Sequence, residues 1–281
     1  MPQPAAPVVD ELIELGGLRF HFRDWPSTRP DAPALVLLHG YTGHARTWDA
    51  FAGAMTDRYR VIALDQRGHG ESAWAPADRY GVEDMADDLE ALVRALGLDG
   101  FSVLGLSMGG MVATEYAGRR PAGLAALVIV DIGPELISAG AGRIRQNGRA
   151  SDIFASRDEA FAAARAENSR PPETHHRHRS DYSLMRTEDG LWTWRFDRAL
   201  RTLSTLRPRD AATAWASCAA IAVPTLVIRG ALSDLLAPEV AGRMVQVIPD
   251  ARLATVADSG HSVPLDAPDG FLAAARDFLK G

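Results

Sequence analysis

Ser107 is the residue around which chemistry can be built. It stands in Gly105-Leu106-Ser107-Met108-Gly109-Gly110, a G-x-S-x-G pattern with FSVLGL running into it and MVATEYAG running out. The first stretch reads as a strand and the second as a helix. A turn from strand to helix within about two residues strains the backbone at the corner and leaves no room for bulky neighbours, hence the flanking glycines. The corner lifts the Ser107 hydroxyl past the edge of the sheet, beside the free N–H groups of a helix N-terminus. That arrangement suits attack on a carbonyl carbon. A serine hydroxyl is a weak nucleophile at neutral pH, so a base must take its proton, and eight histidines compete for that role.

The elements that must carry this corner alternate along the chain. Residues 34–38, 60–64, 101–106, 124–131, 225–229 and 252–256 read as strands buried on both faces, with an earlier strand at 17–22. Helical spacing fills the gaps at 82–96, 108–118, 239–247 and 269–279. The alternation predicts an α/β fold with a mostly parallel sheet flanked by helices. Between Gly133 and Cys218 the pattern offers no convincing strand, only helical and polar stretches. The expected division is a core of residues 1–133 and 219–281. A helical cap over 134–218, inserted before the penultimate strand, would cover the active edge of the sheet. In that cap, Trp192 and Trp194 could line an apolar acyl pocket if their stretch is extended; otherwise they anchor the cap. His175, His176 and His178 suggest a metal site, but Arg177 and Arg179 among them disfavour a cation, so a solvated surface and no metal are expected.

Composition narrows the class of partner. The chain has 281 residues, 47% hydrophobic and 23% charged, the balance of a soluble globular protein. A net charge of −6 argues against nucleic acid. The apolar runs are too short for a membrane span, and the N-terminus lacks the basic and apolar regions of a secretory signal, so a cytoplasmic location is expected. A single cysteine, Cys218, excludes an internal disulfide and a cysteine-rich metal cage.

Three blocks give the chain a resemblance to the α/β-hydrolase superfamily over nearly its whole length. They are His39-Gly40-Tyr41-Thr42-Gly43, Asp65-Gln66-Arg67-Gly68-His69-Gly70-Glu71-Ser72 and Gly105–Gly110. D-x-R-G-H-G-x-S with G-L-S-M-G-G is similar to the branch of esterases, enol-lactonases and cofactor-free haloperoxidases. The resemblance implies an eight-stranded-type sheet and a Ser-acid-His triad. It puts the base at His261, in the loop between the last strand and the last helix. It puts the acid first at Asp234, just past the penultimate strand, with Asp131 at the end of an earlier strand as the rival. The oxyanion donors it implies are the backbone N–H groups of Tyr41 and Met108, with Thr42 a possible substitute. His39 and His69 are expected to be structural, as is Asp65.

The function that follows is hydrolysis of carboxylic esters or lactones of small, fairly apolar substrates through an acyl-enzyme, with no cofactor. C–C bond hydrolysis of ring-cleavage products and perhydrolysis fit the same triad. A slow-turnover ligand-binding or signalling protein that retains the triad is the reading from another class.

Overall fold

The computed structural model describes residues 7–138, 140, 142, 152–201 and 210–280. The core strands are β1 (Val9–Leu15), β2 (Leu18–Trp25), β3 (Ala34–Leu38), β4 (Arg60–Leu64), β5 (Phe101–Leu106) and β6 (Leu124–Val130). Three short cap strands follow, β7 (Ile153–Phe154), β8 (Leu184–Arg186) and β9 (Trp192–Trp194), and then β10 (Thr225–Gly230) and β11 (Ala251–Val256) return to the core. The core sheet has eight strands in the order β1-β2-β4-β3-β5-β6-β10-β11. The pairs β1–β2 and β2–β4 are antiparallel, and every other pair is parallel.

The side-chain alternation of the central strands explains their continuous apolar character, because successive residues enter different cores. Val36, Leu38, Val103, Leu127, Ile129 and Val227 face one side. There they meet α2 (Val82–Ala95), α3 (Met108–Gly118) and α7 (Pro238–Val247) through Leu89, Val112 and Met244. Leu35, Leu37, Leu104, Val128, Val130 and Ile228 face the other side. They pack on α1 (Asp49–Met55) and α9 (Pro268–Phe278) through Phe51, Met55 and Phe271. The strand β1 was not expected; it is largely exposed and pairs only at the sheet edge, so it lacks the apolar run by which the others are recognised.

The cap departs from the expected all-helical form. It holds α4 (Arg157–Glu167) and α5 (Glu173–Tyr182), but also a three-stranded antiparallel sheet in the order β7-β9-β8. Its strands are two or three residues long, shorter than the runs over which periodicity can be read. Parts of the segment expected as cap, 139, 141, 143–151 and 202–209, lie outside the described residues. After the cap, α6 (Ala211–Ala220) leads back to the sheet, and α8 (Val263–Asp266) precedes α9.

The D-x-R-G-H-G block ties this cap to the core. Gly70 N donates to Arg195 O (3.1 Å), Asp197 N donates to Gly68 O (2.7 Å), and the Tyr80 hydroxyl donates to Asp197 Oδ2 (2.5 Å). Gly70 has φ +56°, and a Cβ there would overlap the Asp65 carboxylate, so glycine is required. Among the described residues no helix is long and apolar enough to cross a membrane.

Candidate active site

Ser107 joins β5 to α3 with φ +53° and ψ −116°, a conformation costing about 1–3 kcal/mol for a residue with a side chain. The corner is this tight because backbone meets backbone. A Cβ on Gly105 would overlap the Gly109 carbonyl, and one on Gly109 would lie 2.7 Å from His39 O. The strain presents Ser107 Oγ to the ring of His261, which stands in the loop after β11. His261 Nε2 accepts from Ser107 Oγ at 2.9 Å, and Nδ1 donates to Asp131 Oδ2 at 2.9 Å.

The carboxylate against His261 is therefore Asp131, and the expectation of Asp234 is corrected. Both ring nitrogens are engaged, one by Ser107 and the other by Asp131. The reason lies in the sheet. Strands β6 and β10 are neighbours, so Asp131 and the loop after β10 both end beside the His261 loop. Ser233 N closes a turn on Gly230 O (3.0 Å). That turn aims the Ser233 hydroxyl, rather than the next side chain, at Asp131 Oδ2 (2.5 Å), while Gly230 N donates to Asp131 Oδ1 (2.8 Å). Asp131 is fully buried, with φ +50°, and so holds one orientation. Asp234 borders the cavity in front of Ser107 instead. Ser233 was missed in the sequence; a hydroxyl one residue before a candidate acid carries no signal of its own.

The turn after β3 lies against the nucleophile: a Cβ on Gly40 would stand 3.3 Å from Ser107 Cβ. His39 fixes this turn. Its Nε2 accepts from Gln66 N (3.0 Å), so Nδ1 carries the proton and donates to Gly40 O (2.8 Å), which also accepts from Gly43 N (2.9 Å). Burial lowers the His39 pKa to about 4, which keeps the ring neutral. With the Gly40 carbonyl held on that side, the trans peptide points the Tyr41 N–H the opposite way. Met108 opens α3, where its N–H has no intrahelical acceptor. The Tyr41 side chain does not hang free in the pocket: its hydroxyl donates to Leu200 O of the cap (2.9 Å). His69, as expected, is scaffold, fully buried with Nδ1 3.0 Å from Arg67 O. Asp65 is scaffold too, accepting from Ala45 N, Glu71 N and His21. Burial would raise its pKa, but the bond to His21 and the neighbouring imidazoles outweigh it and bring it to about 2.

The cavity has a volume of about 470 Å³ and is bordered by Ser107, His261, Trp194, Phe196, His176 and Arg179, among others. Its wall is more polar than the expected apolar acyl pocket. Trp194 reaches it, edge-on to Phe154. Trp192 lies outside it, with the guanidinium groups of Arg157 and Arg186 each 5.1 Å from its ring. The histidine cluster is dispersed. His178 Nε2 meets Asp49 Oδ2 (2.9 Å), whereas His176 is buried edge-on to Phe161, so the expected solvated surface does not hold for His176. Among the described residues no group of three or more His, Cys, Asp or Glu side chains is placed to hold a metal ion.

The family model of the alpha/beta hydrolase fold matches residues 33–268. The 3-hydroxybutyrate-oligomer hydrolase of Cupriavidus necator is 30% identical over 286 residues, covering 96% of each chain. The N-formylmaleamate deformylase of Pseudomonas putida is 29% identical over 267 residues, covering 95% of each. Among solved structures, an alpha/beta hydrolase from Novosphingobium aromaticivorans superposes with a TM-score of 0.85 at 27% identity over 99% of both chains. With its sheet order, its strained serine corner and a family match over most of its length, the chain belongs to the α/β-hydrolase fold family.

Proposed function

We propose that the protein is a serine hydrolase that cleaves small carboxylic esters through an acyl-enzyme. The observation that carries this reading is the line of hydrogen bonds Ser107 Oγ to His261 Nε2 to Asp131, each 2.9 Å. In the proposed reaction His261 takes the Ser107 proton as Oγ attacks the carbonyl carbon. Asp131 holds the ring in the Nδ1–H tautomer and stabilises its positive form. The N–H groups of Tyr41 and Met108 receive the charge on the carbonyl oxygen; one such donor is worth about 3–4 kcal/mol of barrier. The imidazolium then protonates the leaving alcohol. Water, deprotonated by His261, attacks the acyl carbon and releases the acid, restoring Ser107. No step calls for a cofactor.

The relatives support hydrolysis in general. One is named for hydrolysis of an oligomer of 3-hydroxybutyrate and another for a deformylase. Lactones fit the same residues, since the alcohol merely stays tethered; fold and triad leave C–C cleavage and perhydrolysis as chemistries of the same nucleophile. The test is turnover of a chromogenic acetate or butyrate ester. Ser107→Ala is expected to lower kcat by roughly six orders of magnitude. Hydrolysis that survives Ser107→Ala, or that a chelator abolishes, would overturn the reading. Tight ligand binding without turnover would favour a receptor.

A further inference from the structure

One cation in the cavity wall has no counter-charge at ion-pair distance among the described residues. Arg179 lies on α5 and borders the cavity that holds Ser107 and His261. Its guanidinium makes a single hydrogen bond among the described residues, a long one of 3.5 Å from Nη2 to Thr42 Oγ1. No carboxylate among the described residues reaches ion-pair distance from it. An arginine half-withdrawn from water into a cavity wall is ordinarily paired, because its charge loses hydration that only a partner can replace.

The backbone beneath this side chain is fixed. Arg179 O accepts from Ser183 N (3.0 Å), from Ser183 Oγ (2.9 Å) and from His44 Nε2 (3.0 Å), a core residue. One turn earlier on the same helix face stands His176, 2% exposed, with Nδ1 lacking a hydrogen-bond partner among the described residues. Burial, then the charges of Arg179 and Arg165, lowers its pKa to about 4, so at neutral pH it is an uncharged ring with one N–H to donate. Acidic side chains border the cavity too, but those with described partners are occupied. Asp266 accepts from Asn168 Nδ2 (2.6 Å) and Gly260 N (2.8 Å), and Asp152 meets Thr193 Oγ1 (3.1 Å) and Arg198 Nε (3.6 Å). Burial lowers the Arg179 pKa, while Glu167 and Asp266 act against that from beyond contact.

The geometry points to a substrate carboxylate as the missing partner of Arg179, with His176 beside it, so that the enzyme selects esters carrying a free carboxylate near the scissile carbonyl. The distance along the chain sets the scale. Thr42 is two residues from Gly40, which abuts Ser107, so the Gly40 and Thr42 Cα atoms are at most about 7 Å apart, and the 3.5 Å bond from Thr42 to Arg179 adds to that. That suits a half-ester of a short dicarboxylic acid, or an acylated short hydroxy acid; both place a carboxylate a few bonds from the ester. A guanidinium matches a carboxylate through two parallel N–H bonds, which a neutral acyl chain cannot reproduce.

This inference rests on the hydrolase reading, and its test separates the two. The kcat/KM of p-nitrophenyl hemisuccinate is compared with that of p-nitrophenyl butyrate, and that of 3-acetoxybutanoate with that of its methyl ester. The wild-type protein is expected to prefer the anionic member of one pair by at least about tenfold; the pair that responds tells which side of the ester bears the carboxylate. Arg179→Gln is expected to lower that ratio by about 10- to 100-fold, the worth of hydrogen bonds to a charged group. Arg179→Lys should restore part of it, and Arg179→Glu should reverse it in favour of an ester with a trimethylammonium group. Equal losses for both members of a pair would mean a structural role and overturn the inference, as would a wild-type enzyme blind to charge while still dependent on Ser107. Calorimetric titration of monomethyl glutarate into Ser107→Ala protein gives a readout without turnover. Binding that is as tight in Ser107→Ala/Arg179→Gln, or absent in both, also overturns the inference, whatever becomes of the hydrolase.

Discussion

Ser107 and Arg179 face one cavity, yet the two sides that hold them are built differently. On the sheet side, backbone packs on backbone: Gly105 and Gly109 leave no space for a Cβ, and Asp131 is gripped by Gly230 N, Ser233 Oγ and His261. On the cap side, strands of two or three residues and two helices lean on the core through hydrogen bonds of individual side chains and loop amides, among them those of Gly70, Asp197, Tyr80, His44, Tyr41, Asn168 and His178. The first side holds the reacting atoms by close backbone packing and leaves little to vary. The second contributes Trp194, Phe196, His176 and Arg179 to the cavity wall, the groups proposed to discriminate between substrates. The difference is the one expected where a rigid scaffold supports variable segments.

The sharpest way to break this comparison is through the two aspartates. Asp131→Asn is expected to lower kcat by about 10⁴-fold, because the His261 tautomer is upset. Asp234→Asn, on the cavity wall, should change kcat by less than about tenfold, the worth of one lost hydrogen bond. Steady-state kinetics of both variants decide it, and the reverse pattern would restore Asp234 to the triad.

Acid should act next, and on the core loops first. Burial lowers the pKa values of His39 and His44 to about 4 and of His69 to about 3. In the unfolded chain each would titrate near 6.5, so below that pH the unfolded state binds protons the folded state refuses. The contribution of these three rings is full above about pH 6.5 and falls by up to about 4 kcal/mol per pH unit, three protons at 1.36 kcal/mol each, until pH 4 is approached, and His176, also lowered to about 4, adds to the loss. His21, raised despite its burial by its bond to Asp65, acts on the alkaline side of that window and does not oppose the loss. Urea midpoints at pH 7, 6 and 5 check this; a flat profile would contradict the neutral buried rings.

Smaller effects sharpen the division. Ser233→Ala removes one donor to Asp131 and is expected to lower kcat about tenfold with KM nearly constant. Trp194→Ala should raise KM severalfold by opening the cavity, whereas Trp192→Ala, outside it, should be felt mainly in stability. Equal kinetic effects of the two tryptophan changes would mean that the cap does not present Trp194 as described.

The same contrast explains what could be read from the sequence. The central strands and the serine corner were legible because burial on both faces and forced glycines leave direct marks in the residue pattern. Strands at 34–38, 60–64 and 101–106 were expected with the bounds they have. The choice between Asp131 and Asp234 was not legible, since adjacent strand ends bring both near His261 and only the turn at Ser233 separates them. The cap strands were too short for a period to develop. Arg179 and His176 read as a solvated face because polar residues at helical spacing look the same whether they point at water or into an active site.

The most direct measurement is the rate at which an organophosphonate ester with a chromogenic leaving group modifies the protein, with the adduct located by peptide mass spectrometry. The account predicts one adduct per chain, on Ser107, forming several orders of magnitude more slowly in His261→Ala and Asp131→Asn but not in Asp234→Asn. An adduct on any other residue, or labelling of Ser107 at an undiminished rate in Asp131→Asn, would contradict it.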